Sequence, residues 1–296
     1  MKTPLSVLLF TLALPASHAA DWPQYLGVDG QGIAEERING DWKKSPPKTL
    51  WSMNVGKGCG SWAVVDGRAL VMGNDGSKDT VWCLEAKTGK PIWKHQYSEK
   101  LQPNLYEGGP NVTPTVDGDR VYTLSKSGRL DCLDFKSGRP VWTVNIAKEF
   151  GGKPGSWGYS ASPVVDGKLL YVLPGSNDGA LVALDKTTGK QVWRTDDGRR
   201  AGYSAPVLAD IKGKKALIVF HGRSVVAYDT AAKGRILFEF PWKTSYDVNA
   251  SNPQYHDGKL FIASGYGMGY AVLDVTGSEP KIVHRDQDIR MIFQNS

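Results

Sequence analysis

The residues of this 296-residue chain with the widest chemical repertoire are three cysteines, five histidines and 30 carboxylates, and their spacing limits what they could do. An odd number of cysteines allows a disulfide plus a free thiol. Cys83 and Cys132 occupy the same place in two similar stretches, VWCLE and LDCLD. Equivalent positions on stacked sheets lie about 10 Å apart, beyond the roughly 7 Å that a disulfide spans, so both are expected as buried thiols. Cys59, between Gly58 and Gly60, is the one expected to be exposed, and no neighbouring base is visible to activate it. His95, His221, His256 and His284 are far apart, with no H-x-x-x-H and no C-x-x-C, so no metal site is expected. G-x-S-x-G is absent as well. Most carboxylates sit in turns, where bonding to the backbone accounts for them. No catalytic residue is assigned.

A binding rim is easier to place. GGPNVTP, WGYSASP, AGYSAP and VNASNP each precede an apolar strand and end in proline, with Gly58 to Trp62 in the corresponding place of an earlier copy. They would gather Asn111, Tyr159, Ser160, Tyr203, Ser204, Asn249 and Asn252 at one mouth, a set of small polar and aromatic groups suited to a peptide, a sugar or a partner protein. The alternative is that these side chains satisfy strand ends and bind water.

The elements that would position them are repeats. LVALDKTTGKQVW, residues 181 to 193, is an apolar run, a turn and a strand carrying Trp193, and looser copies end at Trp93, Trp142 and Phe238. The turn glycines Gly89, Gly138, Gly189, Gly234 and Gly277 fall 49, 51, 45 and 43 residues apart. That period, built from short strands, predicts an all-β fold, a β-propeller of four-stranded antiparallel blades. Five copies are present, near residues 61–95, 112–144, 161–195, 204–242 and 250–284. Four open with an Asp-Gly hairpin turn, and the fourth is expected to carry a longer loop from Ile211 to Lys214. Trp93, Trp142, Trp193 and Phe238, with Gly89, Gly138, Gly189 and Gly234, are read as structural contacts between blades. The aromatic is lost after Gly277, so looser packing is expected in blades four and five.

Residues 1–20 read as a secretory signal peptide, with Lys2 before an apolar run too short for the about 20 residues of a membrane span. No cysteine follows the run, so a lipid anchor is not supported. Residues 21–49 form an irregular lead-in and 50–296 the propeller. Leu50 to Gly56 resembles the last strand of a blade lacking its other three, and Arg290 to Ser296 the start of a further one. The expectation is an incomplete ring of seven or eight blades, with a five-bladed ring closed by Leu50 to Gly56 as the competing arrangement. Without Lys2 the chain has 35 basic and 30 acidic residues, spread through turns, which points away from nucleic acid.

Ala183, Asp185, Thr188, Gly189 and Trp193 reproduce A-x-D-x-x-T-G-x-x-x-W in full. In this the chain resembles the PQQ-like (quinoprotein/BamB-type) β-propellers, which include pyrroloquinoline quinone (PQQ) dehydrogenases and outer-membrane assembly factors. The resemblance implies either a protein-assembly scaffold or a quinone-dependent enzyme. The enzymes of that family hold calcium with Glu, Asn and Asp, use a catalytic Asp and a Trp floor, and carry a disulfide between adjacent cysteines. No adjacent cysteine pair exists in this chain. The expected function is therefore a non-catalytic exported scaffold, periplasmic or secreted. It would contact a protein or small polar ligand at the rim, with no cofactor and no integral membrane segment after signal cleavage. The alternative is a PQQ-dependent periplasmic oxidoreductase of the alcohol or sugar dehydrogenase type, with PQQ and calcium. A carbohydrate-processing enzyme would instead need two carboxylates about 5 to 10 Å apart facing the channel.

Overall fold

A computed structural model describes residues 20–104 and 106–288; the signal-peptide reading, up to residue 19, and the closing segment 290–296 lie outside the described residues. Five four-stranded antiparallel sheets follow one another along the chain, each in simple up-and-down order. Blade 1 is β1 to β4 (Ala63–Val65, Arg68–Asn74, Lys78–Glu85, Pro91–Ser98), and blade 2 is β5 to β8 (Thr115–Asp117, Arg120–Leu124, Arg129–Asp134, Pro140–Asn145). Blade 3 is β9 to β12 (Val164–Asp166, Leu169–Val172, Val182–Asp185, Gln191–Arg194), and blade 4 is β13 to β16 (Val207–Ile211, Lys214–Phe220, Ser224–Asp229, Arg235–Pro241). Blade 5 is β17 to β20 (Gln254–His256, Lys259–Ser264, Gly269–Asp274, Lys281–Asp286).

The up-and-down order places tight turns at one end of every blade and the long connections at the other. The first turn takes two residues in all five blades. In blades 1 and 5 it is Asp66-Gly67 and Asp257-Gly258, with every φ positive. The longer loop expected in blade 4 is absent, because Lys212 (φ 57°) and Gly213 (φ 74°) form the same tight turn between paired Ile211 and Lys214. In blades 2 and 3 the pairing runs one residue further, so the turns are Gly118-Asp119 and Gly167-Lys168.

At the turn end each outer strand meets the next blade. The Trp93, Trp142 and Trp193 rings lie over Gly138, Gly189 and Gly234; a Cβ at Gly138 would stand 2.5 Å from the Trp93 ring, so only glycine fits. Trp93 and Trp142 donate their indole N–H to the carbonyls of Phe135 (2.9 Å) and Lys186 (3.1 Å), which removes the cost of burying that group. A bulge at this position recurs in every blade, with Cys83 facing Trp93, Cys132 facing Trp142 and, where the repeat aromatic is lost, Val272 facing His284. Both thiols are buried and free. Trp51 treats blade 1 in the same way, lying over Gly89 with its N–H on Ala86 O at 2.9 Å. Leu50 to Gly56 therefore packs on the outer face of blade 1 and pairs with no strand of blade 5, which already has four. The five-bladed closure is not what the chain adopts.

Apolar cores join blades 1 and 2, 2 and 3, 3 and 4, and 4 and 5. Phe238 has no N–H to offer, but Trp242, four residues on, is buried in the same core and donates to Ser264 Oγ at 3.1 Å, and Arg285 lies over its ring. At the turn end of this seam between blades 4 and 5 the packing is looser, as the lost aromatic implies: no ring lies over Gly277, and a cavity of about 140 Å³ lined by Leu237, Phe238, Val275 and Pro280 stands there.

Candidate functional site

At the other end of the blades the entrance segments converge. Their first task is structural. Ser61 N donates to Thr113 Oγ1 (2.9 Å), Thr113 N to Ser162 Oγ (3.1 Å) and Ala205 N to Asn252 Oδ1 (3.0 Å), so each entrance backbone is tied to the side chain before the proline of the following blade. The belt skips one step, since Ala205 has no acceptor to give Ser162.

Four of the seven rim residues belong to this buried framework. Asn249 is fully buried, with Nδ2 on the His221 and Trp242 carbonyls at 2.8 and 3.1 Å and Oδ1 accepting from Ser264 Oγ at 2.7 Å. Asn252 and Ser204 are buried too. Tyr159 lies in the core between blades 2 and 3, its hydroxyl on Pro174 O at 2.9 Å. These four do not stand at an open mouth: Asn249, Asn252 and Tyr159 bond backbone groups that need partners once they are buried, and Ser204 is buried with its hydroxyl unpartnered.

Asn111 and Tyr203 do line an open cup of about 400 Å³, and Ser160 stands behind it, accepting from Asn111 Nδ2 at 3.1 Å. The cup draws on all five blades. Cys59 comes from the segment before β1, Tyr106 from between blades 1 and 2, Trp157 from between blades 2 and 3, Val248 from before blade 5, and Tyr266 from the β18–β19 turn. Trp157 and Tyr203 meet edge to face at 5.7 Å. Tyr246, 79% exposed, makes a similar contact with Tyr266 at 5.9 Å. Tyr246, Asp247 and Tyr266 all have positive φ (65°, 58° and 58°), a conformation that costs on the order of 1 kcal/mol or more per residue outside glycine. Trp157 was visible in WGYSASP, but nothing periodic marks Tyr106, Tyr246 or Tyr266.

The polar groups around the cup are engaged with one another. Trp157 Nε1 donates to Asn104 O (2.9 Å), Asn104 Nδ2 to Ser156 O (3.1 Å), and Asn111 Nδ2 to Trp157 O (3.0 Å). Lys126 Nζ sits 4.6 Å over the Tyr106 ring and donates to Gln102 O. Cys59 is exposed, as its flanking glycines suggested, yet burial of the sulfur and then Glu107 push its thiol up, away from thiolate reactivity. Asp247, beside the cup, accepts from Arg200 (2.8 Å) and Arg223 (2.7 Å). Burial raises its pKa, but Arg223, Arg200 and Lys243 outweigh that and hold it below the usual carboxylate range.

Buried charge sits beneath the mouth. Asp79 accepts from Asn74 Nδ2 (2.7 Å) and Tyr97 OH (3.2 Å), and burial pushes it up to about 6. His221, held down at about 4 by burial, contacts Tyr228 OH (2.8 Å), which donates to Asp197 (2.9 Å). These groups pin neighbouring strands and do not line the cup. Among the described residues, no group of three His, Cys, Asp or Glu side chains is placed to hold a metal. The cup also fits PQQ poorly, because its aromatic lining contains no carboxylate that could share a calcium with the cofactor. Among the described residues, no helix is long and apolar enough to cross a membrane.

Comparison with known proteins now has a geometry to refer to. The family described as outer membrane protein assembly factor BamB matches residues 98–289. BamB from Moraxella catarrhalis superimposes with a TM-score of 0.55 at 19% identity, over 79% of this chain and 62% of that one. Quinohemoprotein alcohol dehydrogenase from Comamonas testosteroni gives 0.65 at 18% identity, over 92% and 50%. A europium-containing methanol dehydrogenase gives 0.54 at 15%, over 79% and 62%. The chain thus spans between half and about three fifths of the length of these structures, and at such identities the likeness is one of fold. No curated protein sequence matches it.

Proposed function

The chain belongs to the PQQ-like propeller family of outer membrane protein assembly factor BamB, and from that premise we propose that it is a non-catalytic exported scaffold which holds a partner protein at its five-blade mouth. One observation carries the reading: the cup is walled by aromatic rings whose polar neighbours bond to each other, its lining among the described residues holds no carboxylate, histidine or lysine, and its Cys59 thiol is pushed up, away from thiolate reactivity. An enzyme of this size class gathers titratable groups where it gathers its cavity. Export is supported by the apolar leader and the family, and the outer-membrane role in the family's name is the setting proposed for this chain.

The ring is proposed to continue past blade 5. Phe261, Tyr270 and Val272 alternate with the core residues Leu260, Ile262, Ala271 and Leu273 and so face away from blade 4, half-buried, as a face does that another blade would cover.

A photo-crosslinking amino acid placed at Tyr246, and separately at exposed Val192 on the turn-end rim, tests the reading in cells. Discrete protein adducts from position 246 and none from 192 are expected. Adducts from 192 alone would refute it, and so would calorimetric binding of PQQ with calcium accompanied by dye-linked oxidation of an alcohol or sugar.

A further inference from the structure

We infer that the cup takes a bulky apolar side chain from an acidic peptide segment of a partner protein. This rests on the mouth being the contact surface and adds the chemistry of what enters it. Three independent features of the site carry it.

The first is the state of the hydrogen-bond donors. The Trp157 indole and the Asn104 and Asn111 amides are bonded to protein carbonyls. A sugar would bring many hydroxyls to a wall with few donors left for them, and each unpaired one costs about 1 to 3 kcal/mol. An apolar side chain asks for nothing but ring faces, which Tyr106, Trp157, Tyr203 and Tyr266 supply.

The second is backbone conformation. Tyr246 and Tyr266 hold left-handed φ values of 65° and 58° and meet each other at the cup's edge. Neither asparagine nor glycine, the residues that take such a conformation at least cost, is used there. The strain keeps two aromatic rings at a solvent boundary, and strained backbone of this kind collects where ligands are held.

The third is charge. Arg200 and Arg223, with side chains 73% and 58% exposed, share the single carboxylate Asp247, and Lys243 adds a third cation to the same corner. Across the cup, Glu107 and Lys126 bring one charge of each sign near Cys59. The surplus at the Asp247 corner is positive, so acidic residues flanking the apolar anchor are steered and held there, and basic ones repelled.

The test is fluorescence anisotropy with four probes: short labelled peptides that combine tryptophan with glutamates, alanine with glutamates, or tryptophan with lysines, and a labelled chitin oligosaccharide. The tryptophan–glutamate peptide is expected to bind roughly tenfold tighter than either other peptide, with the oligosaccharide weakest. Tyr246→Asn, at an exposed position whose backbone asparagine accepts, is expected to weaken it about tenfold, as is Trp157→Ala. Arg200→Gln is expected to weaken it about threefold and to flatten its salt dependence. If the lysine peptide or the sugar binds best and Tyr246→Asn abolishes that binding, the cup remains a contact site and the acidic, apolar partner is wrong. If every probe binds the Tyr246→Asn protein as it binds the wild type, both the partner chemistry and the contact surface are wrong.

Discussion

The two ends of the blades solve different problems with the same residue types. At the turn end, tryptophans lie flat over glycines of the next blade, Trp51, Trp93, Trp142 and Trp193 over those of blades 1 to 4, and the arrangement repeats because the contact it makes repeats. At the mouth, Trp157, Tyr203, Tyr246 and Tyr266 come from connections of unequal length and meet one another instead of a neighbouring sheet. One end spends its aromatics on cohesion, and the cavities left there, about 510 and 140 Å³ beside the turns of blade 4, hold no aromatic ring but Phe238; the other holds its rings apart, with strain in the backbone, around open space. Aromatic content alone therefore says nothing about function in this chain. What separates the two ends is whether the ring's partner is already present.

The contrast predicts that stability and binding respond to different residues. Trp193→Ala should lose about 3 to 5 kcal/mol, as large aromatic truncations in cores do, visible as a lower thermal midpoint and with peptide affinity unchanged below it. The buried charge beneath the mouth should show itself through pH. The Asp79 carboxyl has a folded pKa of about 6, raised from 3.8 chiefly by burial. Its stabilising contribution is complete below the unfolded value and is lost as pH rises through about 6. Denaturation between pH 4 and pH 7 should thus show the wild type losing on the order of 3 kcal/mol relative to Asp79→Asn; parallel pH curves for the two proteins would contradict the assignment. Phe238→Trp restores the repeat's own residue beside the cavity of about 140 Å³ at the blade 4–5 seam, so it should stabilise by about 0.5 to 2 kcal/mol in urea titration. Smallest of all, Tyr246→Asn should leave the midpoint within about 0.5 kcal/mol of the wild type, or slightly raise it, because it removes an exposed ring from a left-handed residue.

What the sequence discloses follows the same division. The blades, their order and the glycine-to-tryptophan contacts are legible because a repeated physical need leaves a repeated pattern, and Trp193 can be placed from its spacing to Gly189 alone. Cys59, Cys83 and Cys132 are likewise where their neighbours imply. The mouth is legible only in part. Asn249, Asn252, Ser204 and Tyr159 have the composition of a binding rim but are buried, the first two and Tyr159 on backbone groups that are buried with them. A signal for that role was present: the residue before the proline is Thr113, Ser162 and Asn252 in three blades, an acceptor each time. Tyr106, Tyr246 and Tyr266 left no signal, because their positions depend on how five unequal loops meet in space. Trp242 is a similar case, a buried core residue outside the repeat that bonds Ser264 across the blade 4–5 seam.

Hydrogen–deuterium exchange of the protein with and without the tryptophan–glutamate peptide tests the separation of the two ends most directly. Protection confined to the mouth segments around Tyr106, Trp157, Tyr203, Tyr246 and Tyr266, with the turn-end strands β4, β8 and β12 unchanged, is the predicted result. Protection along those outer strands, with the mouth segments exchanging as they do in the free protein, would contradict it.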